Sequence, residues 1–275
     1  MDISHNPFLL LASSSARFAA RRTIAKAKRP PKIETIIVDI DRTLTNEDSA
    51  KLALERVYGK ERAHERLAGF ARKIKRREMA FDQLHTAIFT DIYDMGFKQD
   101  DWVVVMEKLK ISGGFRRDLA DALHKIGADH DIDLVLATRG SDISARYVAE
   151  SLGFSHALGS IERWDGKDFT GFHTIIGADD SENRGTRIMT KITAVSKLLG
   201  SIGKSVDPKT SAILTNDLLD TLEMLRSACG ILLRPRDPNS LERMTQRLGL
   251  YDRTIDEGKD YQVQLASALG LGPGR

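Results

Sequence analysis

Hydrophobic and polar positions change period several times along the chain. Residues 33–40, IETIIVDI, form an apolar run of strand length and predict a buried first strand. From 46 to 111 the strand pattern is absent. Helical spacing predicts segments near 47–58, 60–77, 80–94 and 98–109. So long a helical stretch after a first strand exceeds a loop and predicts a separate cap. Phe115, Leu119, Leu123 and Ile126 then mark a helix that leads to a second apolar run, DIDLVLATRG. A helix over 141–153 follows, then short strands in HALGSIERWDGKDFTGFHTIIG with a turn at Asp165-Gly166. A helix over 187–203 carries Ile192, Val195, Leu199 and Ile202 on one side. Strand 211–215, helix 218–228, strand 230–234 and helix 239–249 complete the series, and the Gly-containing last 25 residues read as a peripheral tail.

Strands alternating with helices imply an α/β fold with a Rossmann-like, doubly wound, mostly parallel sheet, covered on both faces, whose site lies at the carboxyl ends of the strands. The expected divisions are a basic N-terminal extension over 1–32, a core built from 33–45 and 112–250, an all-helical cap over 46–111 and a tail over 251–275.

With 275 residues and 41% hydrophobic content, the chain can bury a full core. Its net charge of +3 is uneven: residues 1–32 hold seven Lys/Arg against the single acid Asp2, so the remainder sums to −3. The basic character therefore belongs to the extension and says little about what the core binds. A short packed helix, a tether to an anionic surface or an organelle-targeting segment are the readings of that extension; the cytoplasm is the expected compartment, with organelle targeting as the alternative. The one cysteine, Cys229, excludes an internal disulfide and two-cysteine zinc sites. No apolar stretch approaches the roughly 18 residues of a membrane span. Eight Lys/Arg fall within 60–77, but Glu61 and Glu65 interleave with them, so a solvated helix face is expected and nucleic acid is not expected as a partner.

Asp39 and Asp41 close the first apolar run two residues apart, a spacing that puts both side chains on one face of a strand. Crowded carboxylates favour a positive occupant between them, and oxygen donors suit a hard cation such as Mg²⁺ and, with it, phosphate-bearing substrates. The apolar run followed by Asp-x-Asp-x-Thr-Leu-Thr resembles the nucleophile motif of the haloacid dehalogenase superfamily, and is closest to its phosphoserine-phosphatase-like branch. The resemblance implies that Asp39 attacks phosphorus to form an aspartyl phosphate and that Asp41 acts as general acid and then base. It also places a phosphate-binding hydroxyl at Thr138 in Ala137-Thr138-Arg139-Gly140, and a phosphate-neutralising lysine at Lys191, Lys197 or Lys204, of which Lys191 fits best. Lys204 lies in a GKS triplet, but Leu198 occupies the glycine position of a nucleotide-binding loop, so that reading fails.

Metal ligands are implied at Asp39, Asp41 and one of Asn216, Asp217 and Asp220; the family's Gly-Asp is here Thr215-Asn216, which leaves open whether Asn216 or Asp217 contributes. Asp48, Arg139 and Gly140 are implied as substrate-binding residues. Ile88 or an adjacent apolar residue stands where the branch carries a carboxylate-binding arginine, and Arg139-Gly140 replaces a double glycine. Phosphoserine is therefore not the expected substrate. A fixed cation at Arg139, with Arg42 and Arg184 as further candidates, suits a larger or doubly anionic ester. The implied function is Mg²⁺-dependent hydrolysis of a small phosphorylated metabolite; phosphoryl transfer to another acceptor and a non-catalytic regulatory role are the alternatives, and a homodimer is left open.

Overall fold

The computed structural model describes residues 32–79, 83–177, 180–183, 186–216, 220–238, 243, 246 and 251–271. The extension as far as residue 31, Arg184, Asp217 and most of the helix expected over 239–249 lie outside the described residues. In chain order, β1 (Thr35–Val38) is followed by α1 (Ser49–Tyr58), α2 (Lys60–Lys75), α3 (Leu84–Asp94), α4 (Gln99–Ile111) and α5 (Arg117–His130). Next come β2 (Asp133–Ser141), α6 (Asp142–Leu152), β3 (Ala157–Asp165), β4 (Asp168–Ile176), β5 (Ser181–Asn183), β6 (Thr186–Met189) and α7 (Lys191–Gly200). Then follow β7 (Ser211–Thr215), α8 (Thr221–Arg226), β8 (Cys229–Arg234), β9 (Arg253–Asp256) and α9 (Tyr261–Leu269). None of the described helices is long and apolar enough to cross a membrane. The chain falls into two compact units, one of residues up to Val38 with 118–134 and 198 onward, the other of 39–117 with 135–197.

In the first unit β1, β7, β8 and β9 run parallel, with Ile36 beside Ala212, Leu214 beside Ile231 and Leu233 beside Ile255. β1 and β7 are buried throughout and β8 as far as Leu233, as parallel strands covered on both faces must be. α5 contributes Leu119, Leu123 and Ile126 to the core. Residues 251–271 depart from the expected tail. β9 joins the parallel sheet, and α9, whose first turn is capped by Asp260 accepting from the Val263 amide at 3.1 Å, buries Tyr261, Leu265 and Leu269. Only Ile255 of β9 is buried, so the strand leaves almost no apolar signature in the sequence. The buried Cys229 thiol donates to the Ala268 carbonyl at 3.7 Å.

In the second unit β2 pairs parallel with β3, which turns back into β4; β4 pairs parallel with β6, and β5 antiparallel with β6. The strand pairings are thus mostly parallel. β6 occupies part of the helix expected over 187–203, because Thr186–Met189 takes the ladder beside β4. The predicted helical stretch after the first strand holds α1 to α4. Its aromatic side packs on the hairpin: Tyr93 lies 4.2 Å from Phe169 and 5.0 Å from Trp164 between ring centroids, and Phe89 stacks on Phe172 at 6.0 Å. Inside this cluster the Trp102 Nε1–H donates to the Tyr93 hydroxyl, which donates to Glu162 Oε1, both at 2.8 Å.

Candidate active site

Past β1 the chain winds tightly round one carbonyl. The amides of Thr43, Leu44 and Thr45 donate to the Ile40 oxygen at 3.1, 2.9 and 3.1 Å, while Arg42 takes a left-handed φ of 57° to make the turn. The carbonyls this coil turns outward are gathered by Arg116, which is 9% exposed. Its Nη1 donates to Arg42 O at 2.5 Å, to Thr43 O at 3.0 Å and to Thr45 O. The hold of Arg116 on this turn follows from the folded geometry.

Asp39 and Asp41 flank Ile40 beyond the end of β1, so they are held by the turn and not by the shared strand face that their spacing predicts. The Asp39 Oδ1 receives the Lys191 ammonium at 2.6 Å and its Oδ2 receives the Thr43 hydroxyl at 3.1 Å. Lys191 is fully buried at the start of α7, a helix start that Asp180 secures by accepting from the Thr190 amide and the Thr193 hydroxyl, both at 2.9 Å. Of the three candidate lysines, Lys191 is the one that meets Asp39 in the described residues. Lys197 is exposed and reaches the Met189 sulfur, and Lys204 pairs with Asp133.

Asp41 Oδ1 accepts from the Ser49 amide at 2.7 Å and Oδ2 from the Thr138 hydroxyl at 3.2 Å. Burial, and after it the charge of Asp48, pushes the Asp41 carboxyl up to about 6. A carboxyl in that range can both give and take a proton near neutrality. Thr138 Oγ1 in turn accepts from the Gly140 amide at 3.0 Å. Gly140 has no side chain to spare room for: a Cβ there would stand 3.1 Å from Asp41 Oδ2, 3.2 Å from Thr138 Oγ1 and 3.3 Å from Ser49 Oγ. Arg139 is buried, and its carbonyl is held by the Ser160 hydroxyl at 2.8 Å, which braces the end of β2 from β3. Asp48 caps α1, accepting from the Lys51 amide at 3.0 Å.

Asn216, which follows β7, and Asp220, at the start of α8, are both buried in the first unit. No group of three or more His, Cys, Asp or Glu side chains is assembled to hold a metal among the described residues. The donors in the second unit nonetheless suit a hard cation. They are carboxylate oxygens, and burial, with the charge of Asp48 after it, disfavours the Asp41 anion, a cost that a bound cation would offset.

The family model for haloacid dehalogenase-like hydrolases matches residues 36–193, a span that holds Asp39, Asp41, Thr138 and Lys191. The chain belongs to that family. Solved structures with the same fold include a haloacid dehalogenase family hydrolase from Salmonella enterica serovar Typhi, with a TM-score of 0.61 and 13% identity over 97% of this chain and 81% of that one. A phosphoserine phosphatase solved as a phospho-aspartyl intermediate analogue gives 0.58 and 11% over 86% and 99%. A probable phosphoserine phosphatase from Vibrio cholerae gives 0.56 and 14% over 94% and 76%. At these identities the likeness is one of fold. No curated protein matches the chain. Within this dehalogenase-like hydrolase, sequence patterning did not single out Ser49 and Ser160, whose importance rests on the groups they meet.

Proposed function

We propose that the chain is a metal-dependent phosphomonoester hydrolase that works through an aspartyl phosphate. The observation that carries this reading is the pairing of a buried carboxylate, fixed by Lys191 and Thr43, with a second carboxyl held near 6 and hydrogen bonded to Thr138. An oxygen of Asp39 bonds to phosphorus as the ester's alkoxide leaves, and the Asp41 proton goes to that alkoxide. Asp41 then takes a proton from water, whose oxygen bonds to phosphorus as the Asp39–phosphorus bond breaks. Lys191 fixes the direction of attack and offsets the charge of the incoming phosphate. Thr138, at the carboxyl end of β2, supplies a hydroxyl to a phosphoryl oxygen, with the Gly140 amide beside it.

Asp39 and the Asp41 main-chain carbonyl would hold Mg²⁺. When bound it supplies charge neutralisation for attack by one anion on another. The helical segment over 46–111 acts as a cap that selects the ester, and Arg139 suits a substrate more anionic than phosphoserine. The fold shared with phosphoserine phosphatases supports this reading. The test is hydrolysis of a panel of phosphorylated metabolites with Mg²⁺ and with EDTA. Turnover should require the metal and should fall by about three orders of magnitude or more in Asp39→Asn; hydrolysis that survives the substitution overturns the nucleophile assignment.

A further inference from the structure

The chain enters the helices α1 to α4 over residues 44–46 and leaves them over 114–116, and these two passes are zipped together. The Arg116 amide donates to Leu44 O at 2.8 Å, the Asn46 amide donates to Gly114 O at 2.9 Å, and Thr45 and Phe115 form an antiparallel bridge. The ribbon is fixed to the end of α4 as well. There the Gly114 amide donates to Leu109 O at 2.9 Å, and a Cβ on that glycine would stand 2.8 Å from the same oxygen.

From this ribbon the buried Arg116 guanidinium turns back onto the carbonyls of Arg42, Thr43 and Thr45. Arg42 directly follows Asp41 and is left-handed at φ 57°, a conformation that costs free energy in a residue with a Cβ. Two contacts offset that cost. The Arg42 amide donates to Thr45 Oγ1 at 3.1 Å from within the turn, and Arg116 meets the Arg42 carbonyl from outside it. Asp39 has its own anchor outside the turn, the Lys191 ammonium at 2.6 Å. Asp41 meets the Ser49 amide and the Thr138 hydroxyl in the orientation that the turn gives it.

We infer that Arg116 is a positioning residue for the acid–base step: by holding Arg42 left-handed, it aims the Asp41 carboxyl at the oxygen that departs with the alcohol. This deepens the phosphomonoesterase reading and rests on it. Arg116 acts through the turn and needs no contact with the ester. Its loss should therefore be selective. A poor leaving group needs the Asp41 proton as its bond to phosphorus breaks, whereas an activated one needs it little. A residue that only supported the fold would lower the amount of active enzyme, and turnover of every substrate would fall by the same factor.

The experiment measures kcat for wild type, Arg116→Lys and Arg116→Met in the presence of Mg²⁺. One substrate is the alkyl phosphate of the metabolite panel that wild type turns over fastest; the other is an activated phosphate, p-nitrophenyl phosphate or the smaller acetyl phosphate. Lysine keeps the charge without the planar fork, so it should retain more activity than methionine. The expected falls on the alkyl phosphate are about tenfold for lysine and about a hundredfold for methionine, with clearly smaller falls on the activated one. Equal losses on the two substrates, or no loss, overturn the proposal and leave the hydrolase reading standing. Where circular dichroism shows the methionine variant unfolded, the lysine variant decides alone; if neither folds, Arg116 serves stability and the proposal falls. A wild type inert toward the whole panel sinks the hydrolase reading itself, and this inference with it.

Discussion

The energetics of Asp39 and Lys191 turn on what each would be without the other. Their side chains are 6% and 1% exposed, and they meet at 2.6 Å. Desolvating two charges costs as much as their attraction returns, so the pair adds little net stability, but breaking it strands one charge in the interior. Lys191→Met should therefore destabilise the protein by roughly 3–5 kcal/mol in urea unfolding. Adding Asp39→Asn should recover part of that loss, since the stranded carboxylate disappears. Two independent, additive losses would show that the interaction is not the cause. The same reasoning explains why Thr43 belongs to the site: it gives the second Asp39 oxygen a partner from within the turn that carries the acid.

Among elements, the hydrogen bonds from Trp102 through Tyr93 to Glu162 tie α3 and α4 to β3 within one aromatic cluster. Tyr93→Phe keeps the packing but leaves an indole N–H and a carboxylate oxygen unmet, which should cost about 1–3 kcal/mol for each. Burial raises the Glu162 carboxyl, against the hydrogen bonds from Ser141 and Tyr93 that pull it down. The folded protein thus holds this proton more tightly than the unfolded chain does. Its contribution to stability is greatest at low pH and declines as pH rises from the ordinary glutamate range through the raised value. Glu162→Gln should flatten that part of the profile when melting temperature is followed over about pH 4 to 8; an unchanged slope would assign it to other groups. Elements with strong periods were legible beforehand. The first strand, α1 to α4 and the hairpin at Asp165-Gly166 follow the apolar spacing closely. β5, β6 and β9 were not, because strands of three or four residues at a sheet margin bury too few side chains to alternate visibly. Asp39, Asp41 and Thr138 could be read from local order. The grip of Arg116 could not, since it is defined by carbonyls far away in sequence.

At the scale of the whole molecule, each compact unit draws on stretches far apart in the chain, so residues late in the sequence matter to the interior. In the first unit β9 covers the edge of β8, and α9 adds Tyr261, Leu265 and Leu269 to the core. Burying such side chains is worth about 1.5–3 kcal/mol apiece. A chain ended at residue 250 should accordingly lose several kcal/mol and, with the β8 edge uncovered, should aggregate on heating. Static light scattering during a thermal ramp reads both effects; a truncated chain that melts like the full one would return residues 251–271 to the status of an appendage. The lone cysteine gives this region its own sentinel. Cys229 lies sealed under α9 with its thiol turned to Ala268. A maleimide dye added to native protein would stay idle until the final helix peeled away, and its labelling rate would clock that local opening apart from the melting of everything else.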